Sequence, residues 1–318
     1  MDLVLAVDLG ATKTLAALVR RDGAVLSRQR FPTPQVPRQA AEAVVSCLRQ
    51  LLEAQSLAPR QVVGVGLAAA GLCNPQTGVI AQSPNLPAWR DVPLGPWVQQ
   101  ALGAPVFLAN DANAAALGEL HYGTGQGLAD FIYVTVSSGI GAGLVLGGKL
   151  YLGHSFTAGE VGHLVVEPSG PACGCGSRGC LEAVASGLAI AQEAARRLRH
   201  GEPSLLNELT GGQPEQVSAE LVHRAALAGD ALAIQMVKDA GRYLGIAFAG
   251  LVNVLNPQAI IVGGGLSKMG ELLLGPARAA LRQRAYPLAA GGCVVAVTSL
   301  GDEGGLLGAA ALLLEPPL

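Results

Sequence analysis

Residues Glu160–Glu182 read EVGHLVVEPSGPACGCGSRGCLE and hold more chemistry per residue than the rest of this 318-residue chain. Cys173, Cys175 and Cys180 fall close together, His163 lies upstream of them, and Glu160 and Glu182 flank the set. Three thiolates and one imidazole suit a tetrahedral zinc ion, and Gly174, Gly176 and Gly179 let a short knuckle fold back around it. Four protein ligands leave no open coordination position. The expected metal is therefore structural, and any reaction runs beside it rather than on it. Buried thiols or a disulfide pair are the alternative, but isolated cysteines rarely cluster with histidine and glycine in this way.

The chain around this stretch is long enough for two domains, each with its own core. Half of its residues are hydrophobic, 14% are charged and 43 are glycine, which points to close packing and tight turns rather than disorder. A net charge of −2 provides no general field for nucleic acid or an anionic membrane, so a phosphate ligand must be held locally. Phe131–Gly148 and Tyr243–Ser267 run without charge, but glycines break the first and Asn256-Pro257 the second, which argues against a membrane span. MDLVLAVDLG at the N-terminus lacks the basic region of a signal peptide. With thiols assigned to metal rather than to disulfides, the expected compartment is the reducing cytoplasm.

Leu3–Val7 and Leu15–Val19 read as buried strands joined by a turn, and Asp22-Gly23 turns the chain into a third strand over Ala24–Arg30. A helix follows over Ala40–Ala54, with Val44, Leu48, Leu51 and Leu52 at helical spacing. Strands are expected at Val62–Leu67 and Val106–Leu108, with a polar, proline-containing loop at Ser83–Trp89 between them. Ala104–Leu120 passes from strand to helix, with Asn110-Asp111 at the junction. A second meander, Phe131–Val136, Leu144–Leu146 and Leu150–Leu152, repeats the N-terminal pattern and suggests two related halves. Helices are expected at Gly187–Arg199, Ala219–Ala228 and Ala231–Val254. In the last, Ile234, Val237, Gly241, Leu244, Phe248, Leu251 and Leu255 form the apolar stripe and Asn256-Pro257 the stop. A strand at Ala259–Val262, a helix at Glu271–Arg284 and a small-residue helix after Gly301 close the chain.

Three glycine-rich turns follow strands, at Asp8–Thr14, Ser137–Gly143 and Gly263–Ser267. None is a P-loop or a GxGxxG opening a helix. Backbone N–H groups at Gly10, Gly139, Gly264 and Gly265, with the hydroxyls of Thr12 and Ser138, can surround a phosphate in such turns. Asp8 could hold a magnesium ion through water, because that cation keeps its hydration shell and takes few carboxylates when phosphates supply other ligands. Lys13 could neutralise phosphate charge or stand as a solvated surface lysine. Asp111 is placed either to accept a hydroxyl proton in phosphoryl transfer or to cap the helix that follows, and the sequence leaves both open.

DLGATKT, LANDANAAALGE, VSSGIGAG, AGEVGH, CGCGSRGCLE and VGGGLS, in that order, resemble the ROK family of sugar kinases and repressors, especially its bacterial glucokinases. The resemblance runs from Asp8 to the last helix. It implies an α/β, two-domain actin-like or hexokinase-like ATPase fold of the ribonuclease H-like type with a structural zinc knuckle. The expected small domain is residues 1–112 completed by 303–318, and the large one 113–302. It implies ATP-dependent phosphorylation of a hexose primary hydroxyl, foremost that of glucose, with sugar and ATP meeting between the domains, Mg2+ accompanying the nucleotide, and a homodimer or homotetramer. Asp111 is then the catalytic base, and Asn85, Asn110, Asp111, Glu160, His163 and Glu182 hold sugar hydroxyls. His163 joins Cys173, Cys175 and Cys180 on zinc. Amides and carboxylates that each take hydroxyl hydrogens are how a site rejects analogues lacking a hydroxyl. Two departures from the family stand out: Ser138 replaces the usual threonine, and Ala69-Ala70-Gly71 replaces Gly-Pro-Gly, which bears on pocket shape.

Kinases of the family acting on N-acetylmannosamine, N-acetylglucosamine, fructose or allose use much the same motifs. A sugar-sensing repressor would place a helix-turn-helix before the first turn, whereas Asp8 is reached almost at once. An actin-like ATPase without a sugar substrate would not need the Glu160, His163 and Glu182 cluster.

Overall fold

The computed structural model of the chain describes residues 3–314, so the outermost residues of the expected domains, 1–2 and 315–318, lie outside the described residues. The chain begins with an antiparallel meander of β1 (Leu3–Leu9), β2 (Lys13–Arg20) and β3 (Val25–Pro32). Helix α1 (Pro37–Ala54) starts on Pro37, whose missing N–H costs nothing in a first turn, and buries Val44, Leu48, Leu51 and Leu52. Strand β4 (Val65–Ala69) runs parallel to β1. It begins later than Val62 because Pro59–Gln61 forms a 3-10 turn and pairing on both flanks starts only at Val65.

The loop expected at Ser83–Trp89 is one, and the wider stretch between the two central strands is more structured than the sequence announced. It holds a small antiparallel sheet of β5 (Leu72–Asn74), β6 (Val79–Gln82) and β7 (Arg90–Val92), then α2 (Leu94–Leu102), which ends on left-handed Gly103. Strand β8 (Val106–Asn110) lies parallel to β4 and leads directly into α3 (Asp111–Tyr122). The first large sheet has the order β3-β2-β1-β4-β8.

The second large sheet has the order β11-β10-β9-β12-β13, built from β9 (Phe131–Val136), β10 (Ile140–Leu146), β11 (Lys149–Tyr151), β12 (Ala259–Gly263) and β13 (Val294–Val297). Both sheets are therefore a three-stranded meander followed by two parallel strands, the recurrence suggested by the two glycine turns. Strand β10 starts at Ile140 rather than Leu144, since a ladder uses backbone groups that Gly141 and Gly143 supply as well as any residue.

Between these strands lie α4 (Leu181–Ala185), α5 (Gly187–Arg199), α6 (Leu206–Leu209), α7 (Ala219–Leu227), α8 (Ala231–Leu255), α9 (Glu271–Arg284) and α10 (Pro287–Gly292). The buried face of α8 departs from the expected stripe: Ile234, Leu251 and Leu255 are only half-buried, while Met236, Ala240, Gly245 and Ala249 are buried. Gly245 explains the rotation, because a Cβ there would stand 2.6 Å from that of Ala280, so α8 meets α9 along small residues. Asn256 then ends α8 in a left-handed conformation at φ 47° before Pro257.

The chain forms two compact units. One runs to Ala129 and resumes at Gly143–Gly159 and from Thr298 onward; the other comprises Asp130–Ala142 and Glu160–Val297. Helix α3 belongs to the first unit, whereas a boundary after residue 112 would separate it from β8. In that unit the sheet buries one face against α1 and α2 and the other against α3 and α11 (Gly304–Ala311). Small residues set the second contact: a Cβ at Gly118 would stand 3.0 Å from Gly304 O and from Gly308 N. No helix among the described residues is long and apolar enough to cross a membrane.

Candidate active site and metal centre

In the first unit, the end of β8 fixes which residue caps α3. Asn110 Oδ1 accepts from the N–H groups of Ala112 at 2.9 Å and Asn113 at 3.3 Å, and its Nδ2 donates to Gly71 O at 3.0 Å. Asn110 is thus the cap, and Asp111 the first helical residue, its Oδ1 accepting from the adjacent Ala112 N–H at 2.9 Å. The capping alternative for Asp111 is displaced by its neighbour. Asn110, expected among the sugar ligands, has its oxygen committed to the helix and ties the 69–71 loop to the start of α3.

That loop is held from a second side, where Ser83 Oγ donates to Ala70 O at 2.7 Å. Gly71 has φ 136°, and a Cβ there would come within 2.9 Å of Ser83 Cα, so only glycine fits where the family pattern also ends in glycine. Asn85 is exposed on the turn from Ser83 to Trp89, which buried Leu86 and Trp89 anchor and which closes through Leu86 N–H to Ser83 O at 3.3 Å.

Asp8 lies near the end of β1. Burial, and then the negative charge of Asp111, push its carboxyl up to about 6, with Lys13 opposing the shift. A Cβ at Gly305, in the first turn of α11, would stand 2.7 Å from Asp8 Oδ2, so a glycine there leaves room for that carboxylate. The turn that follows closes through Gly10 N–H to Lys13 O at 3.1 Å, and Thr33 buttresses it by donating from Oγ1 to Gly10 O at 2.7 Å. Thr12 and Lys13 are exposed on it. One carboxylate whose charge is suppressed by burial and by a second carboxylate fits a hydrated divalent cation, which would restore that charge.

In the second unit the four knuckle residues converge. The candidate ligand atoms of His163, Cys173, Cys175 and Cys180 all lie within 4.8 Å of one another. Cys173 Sγ is 3.7 Å from His163 Nδ1, and Cys175 Sγ is 3.7 Å from Cys180 Sγ. Tetrahedral bonds of about 2.3 Å to sulfur and 2.0–2.1 Å to nitrogen give ligand separations of roughly 3.6–3.8 Å, so the set fits zinc. All six cysteines are free, which removes the disulfide alternative. Burial, and then the neighbouring thiols, push the Cys180 thiol up to about 11, a cost that a bound cation offsets. His163 Nε2, turned away from the sulfurs, lies 3.8 Å from Glu160 Oε2.

The second and third glycine turns also meet in this unit, whereas the first lies in the other. Gly264 has φ 82°, and a Cβ there would stand 2.5 Å from Val136 O at the end of β9. Gly265 opens the short 3-10 helix that follows. Ser138 is exposed on the Ser137–Gly139 turn, and Glu182 reaches that turn, its Oε2 accepting from Ile140 N–H at 2.9 Å. Sequence reasoning did not single out Thr33, Ser83, Gly187 or Gly305. Only Ser186-Gly187 carried a local signal, a serine cap ahead of a helix.

The sequence profile of the ROK family matches residues 4–315. A glucokinase of Streptomyces coelicolor is 37% identical over 323 residues, spanning 99% of this chain and 99% of its own. The crystal structure of a ROK family glucokinase from Streptomyces griseus, in complex with glucose and AMPPNP, is 35% identical, covers 98% of each chain and aligns with a TM-score of 0.84. A ROK hexokinase from Thermus thermophilus is 36% identical, covers 97% of each chain and aligns with a TM-score of 0.81.

Proposed function

This chain belongs to the ROK family, and from that premise we propose that it is a hexose kinase that transfers the γ-phosphoryl group of ATP to the primary hydroxyl of glucose. The observation that carries the reading is the junction of β8 and α3. Asn110 caps the helix, and Asp111 opens it with a charge that adds to burial in raising the Asp8 carboxyl, the pair of carboxylates from which this reading takes Asp111 as the proton acceptor. The likeness to glucokinases along the whole chain supports both the reaction class and glucose as its substrate.

In this reading a carboxylate oxygen of Asp111 takes the proton of the attacking hydroxyl as the phosphoryl group moves. Phosphoryl transfer asks little more of a protein than positioning and charge. Lys13 and the turn amides at Gly139, Gly264 and Gly265 face the nucleotide phosphates, with the Thr12 and Ser138 hydroxyls beside them, while the Gly10 amide holds the first turn closed. Magnesium, bound with ATP, supplies positive charge there, and Asp8 would hold it through water. Asn85, Glu160, His163 and Glu182 take the sugar hydroxyls, while Asn110 holds the Gly71 loop at its edge.

Zinc on His163, Cys173, Cys175 and Cys180 would fix the loop carrying Glu160 and His163. The short distance from Nδ1 of His163 to Cys173 Sγ supports Nδ1 as the metal ligand in this reading, with Nε2 left for Glu160 or a sugar hydroxyl. Thiolate ligands call for a reducing compartment, the cytoplasm in this reading. Assembly into a homodimer or homotetramer belongs to the same reading.

A coupled assay with ATP over glucose, N-acetylmannosamine, N-acetylglucosamine, fructose and allose tests the proposal. The expected result is the highest kcat/KM with glucose. A different preferred hexose would remove glucose alone, and no turnover of any of them at about 1 mM would remove the kinase.

A further inference from the structure

The Ser137–Gly139 turn is held by a part of the chain far from it in sequence. Glu182 Oε2 accepts from Ile140 N–H at 2.9 Å, Gly187 N–H donates to Ser137 O at 2.7 Å, and Leu188 N–H donates to Ser138 O at 3.3 Å. The meander itself adds one bond across the turn, Ser137 N–H to Gly139 O at 2.9 Å. Ser186 sets the amides of α5 by accepting from Ala189 N–H at 3.1 Å. A Cβ at residue 139 would stand 2.5 Å from Glu182 Oε2, so glycine there lets the carboxylate close on the turn. Of these four bonds, the one from Ile140 is the only one to a charged acceptor, the stronger class of hydrogen bond.

We propose that Glu182 is a positioning residue for the nucleotide phosphates, with Oε2 fixing the Ser137–Gly139 turn whether or not a sugar is bound. The inference rests on the kinase reading above and deepens it by giving Glu182 a second task besides its sugar contact. A short turn with exposed Ser137 and Ser138 has many conformers when untied, and each must be lost when phosphate binds. A carboxylate bonded to the amide beyond the turn removes that loss beforehand. Glutamine offers Ile140 an amide oxygen in the same place, whereas alanine offers nothing.

The test is calorimetric titration of AMPPNP into the zinc-loaded full-length protein without sugar, for wild type, Glu182→Gln and Glu182→Ala. Glu182→Ala is expected to weaken nucleotide binding by about tenfold and Glu182→Gln by no more than about threefold, following the strength of a charge-assisted hydrogen bond. Equal nucleotide affinity in all three proteins, or an equal loss in both variants, would overturn the proposal. Both variants are expected to lose sugar affinity, which separates the two tasks of the residue. Zinc content and thermal unfolding check that each variant is folded. Should Glu182→Ala not fold, hydrogen exchange at the Ile140 amide of the wild type decides: slowing of about a hundredfold or more against an open amide supports the bond, and exchange at the open rate overturns it. A wild type that binds no AMPPNP would overturn the kinase reading, and the nucleotide role of Glu182 with it.

Discussion

At the end of β1 and at the end of β9 the same step, from a buried strand through a glycine turn to an antiparallel partner, leads to different chemistry. The first turn carries charge on side chains: Asp8 before it, Lys13 within it, and Asp111, whose charge adds to burial in raising the Asp8 carboxyl to about 6. Thr33, just past the end of the same meander, buttresses it. The second turn carries no ionisable group of its own, offers backbone and serine hydroxyls, and is held by residues that follow the cysteine knuckle. Duplicated topology therefore fixes where a turn sits, not what it does. One turn draws its charged neighbours from its own unit. The other receives its order from outside.

Breaking the first turn's chemistry has the largest expected effect. Asp111→Asn removes the proton acceptor and keeps the shape, so kcat is expected to fall by about 10²–10⁴ while calorimetric sugar affinity stays within about threefold. Retained turnover would remove Asp111 as the base. Next in size is the second turn's outside support. Cys173→Ser, or chelation of the wild type, is expected to remove equimolar zinc measured by elemental analysis and to lower Tm by at least about 5 °C. A metal-free preparation with unchanged Tm would show the knuckle to be dispensable.

The smallest effect sharpens the comparison through pH. An aspartate titrates near 3.8 when unperturbed and near 6 at Asp8, so the folded state binds the extra proton between those values. Stability from this group is complete below 3.8 and is lost as pH rises through 6. Allowing for partial solvent contact, the deficit above 6 is on the order of 2 kcal/mol. Asp8→Asn is thus expected to raise Tm at pH 7.5 by about 4–6 °C, with the gain vanishing below pH 4, and to weaken magnesium nucleotide binding. A gain of the same size at both pH values would assign it to packing.

Much of this arrangement was legible in the sequence where side-chain chemistry announces it. Alternating or continuous apolar runs marked β1, β2, β9 and β12, and the spacing of thiols with His163 marked a set of residues that does converge. What stayed hidden lay in the backbone. Strand β10 reaches back to Ile140 through glycines that carry no pattern, and α8 turns its Gly245 edge inward because α9 comes too close for larger groups. Asn110 rather than Asp111 caps α3, a choice between adjacent cap-forming residues that depends on where β8 stops. The sheet of β5–β7 was missed because its strands are short and partly polar.

Helix α11 has a consequence for how the protein is made. It fills the surface formed by Val4, Ala6, Ala68, Ala109 and Ala114, and a side chain at Gly66 would collide with the backbone of Ala309. A ribosome adding residues from the N-terminus therefore completes the whole second unit before the first can cover that apolar face. The face of the nascent N-terminal sheet that α11 covers therefore stays without that helix until nearly all of the chain is made.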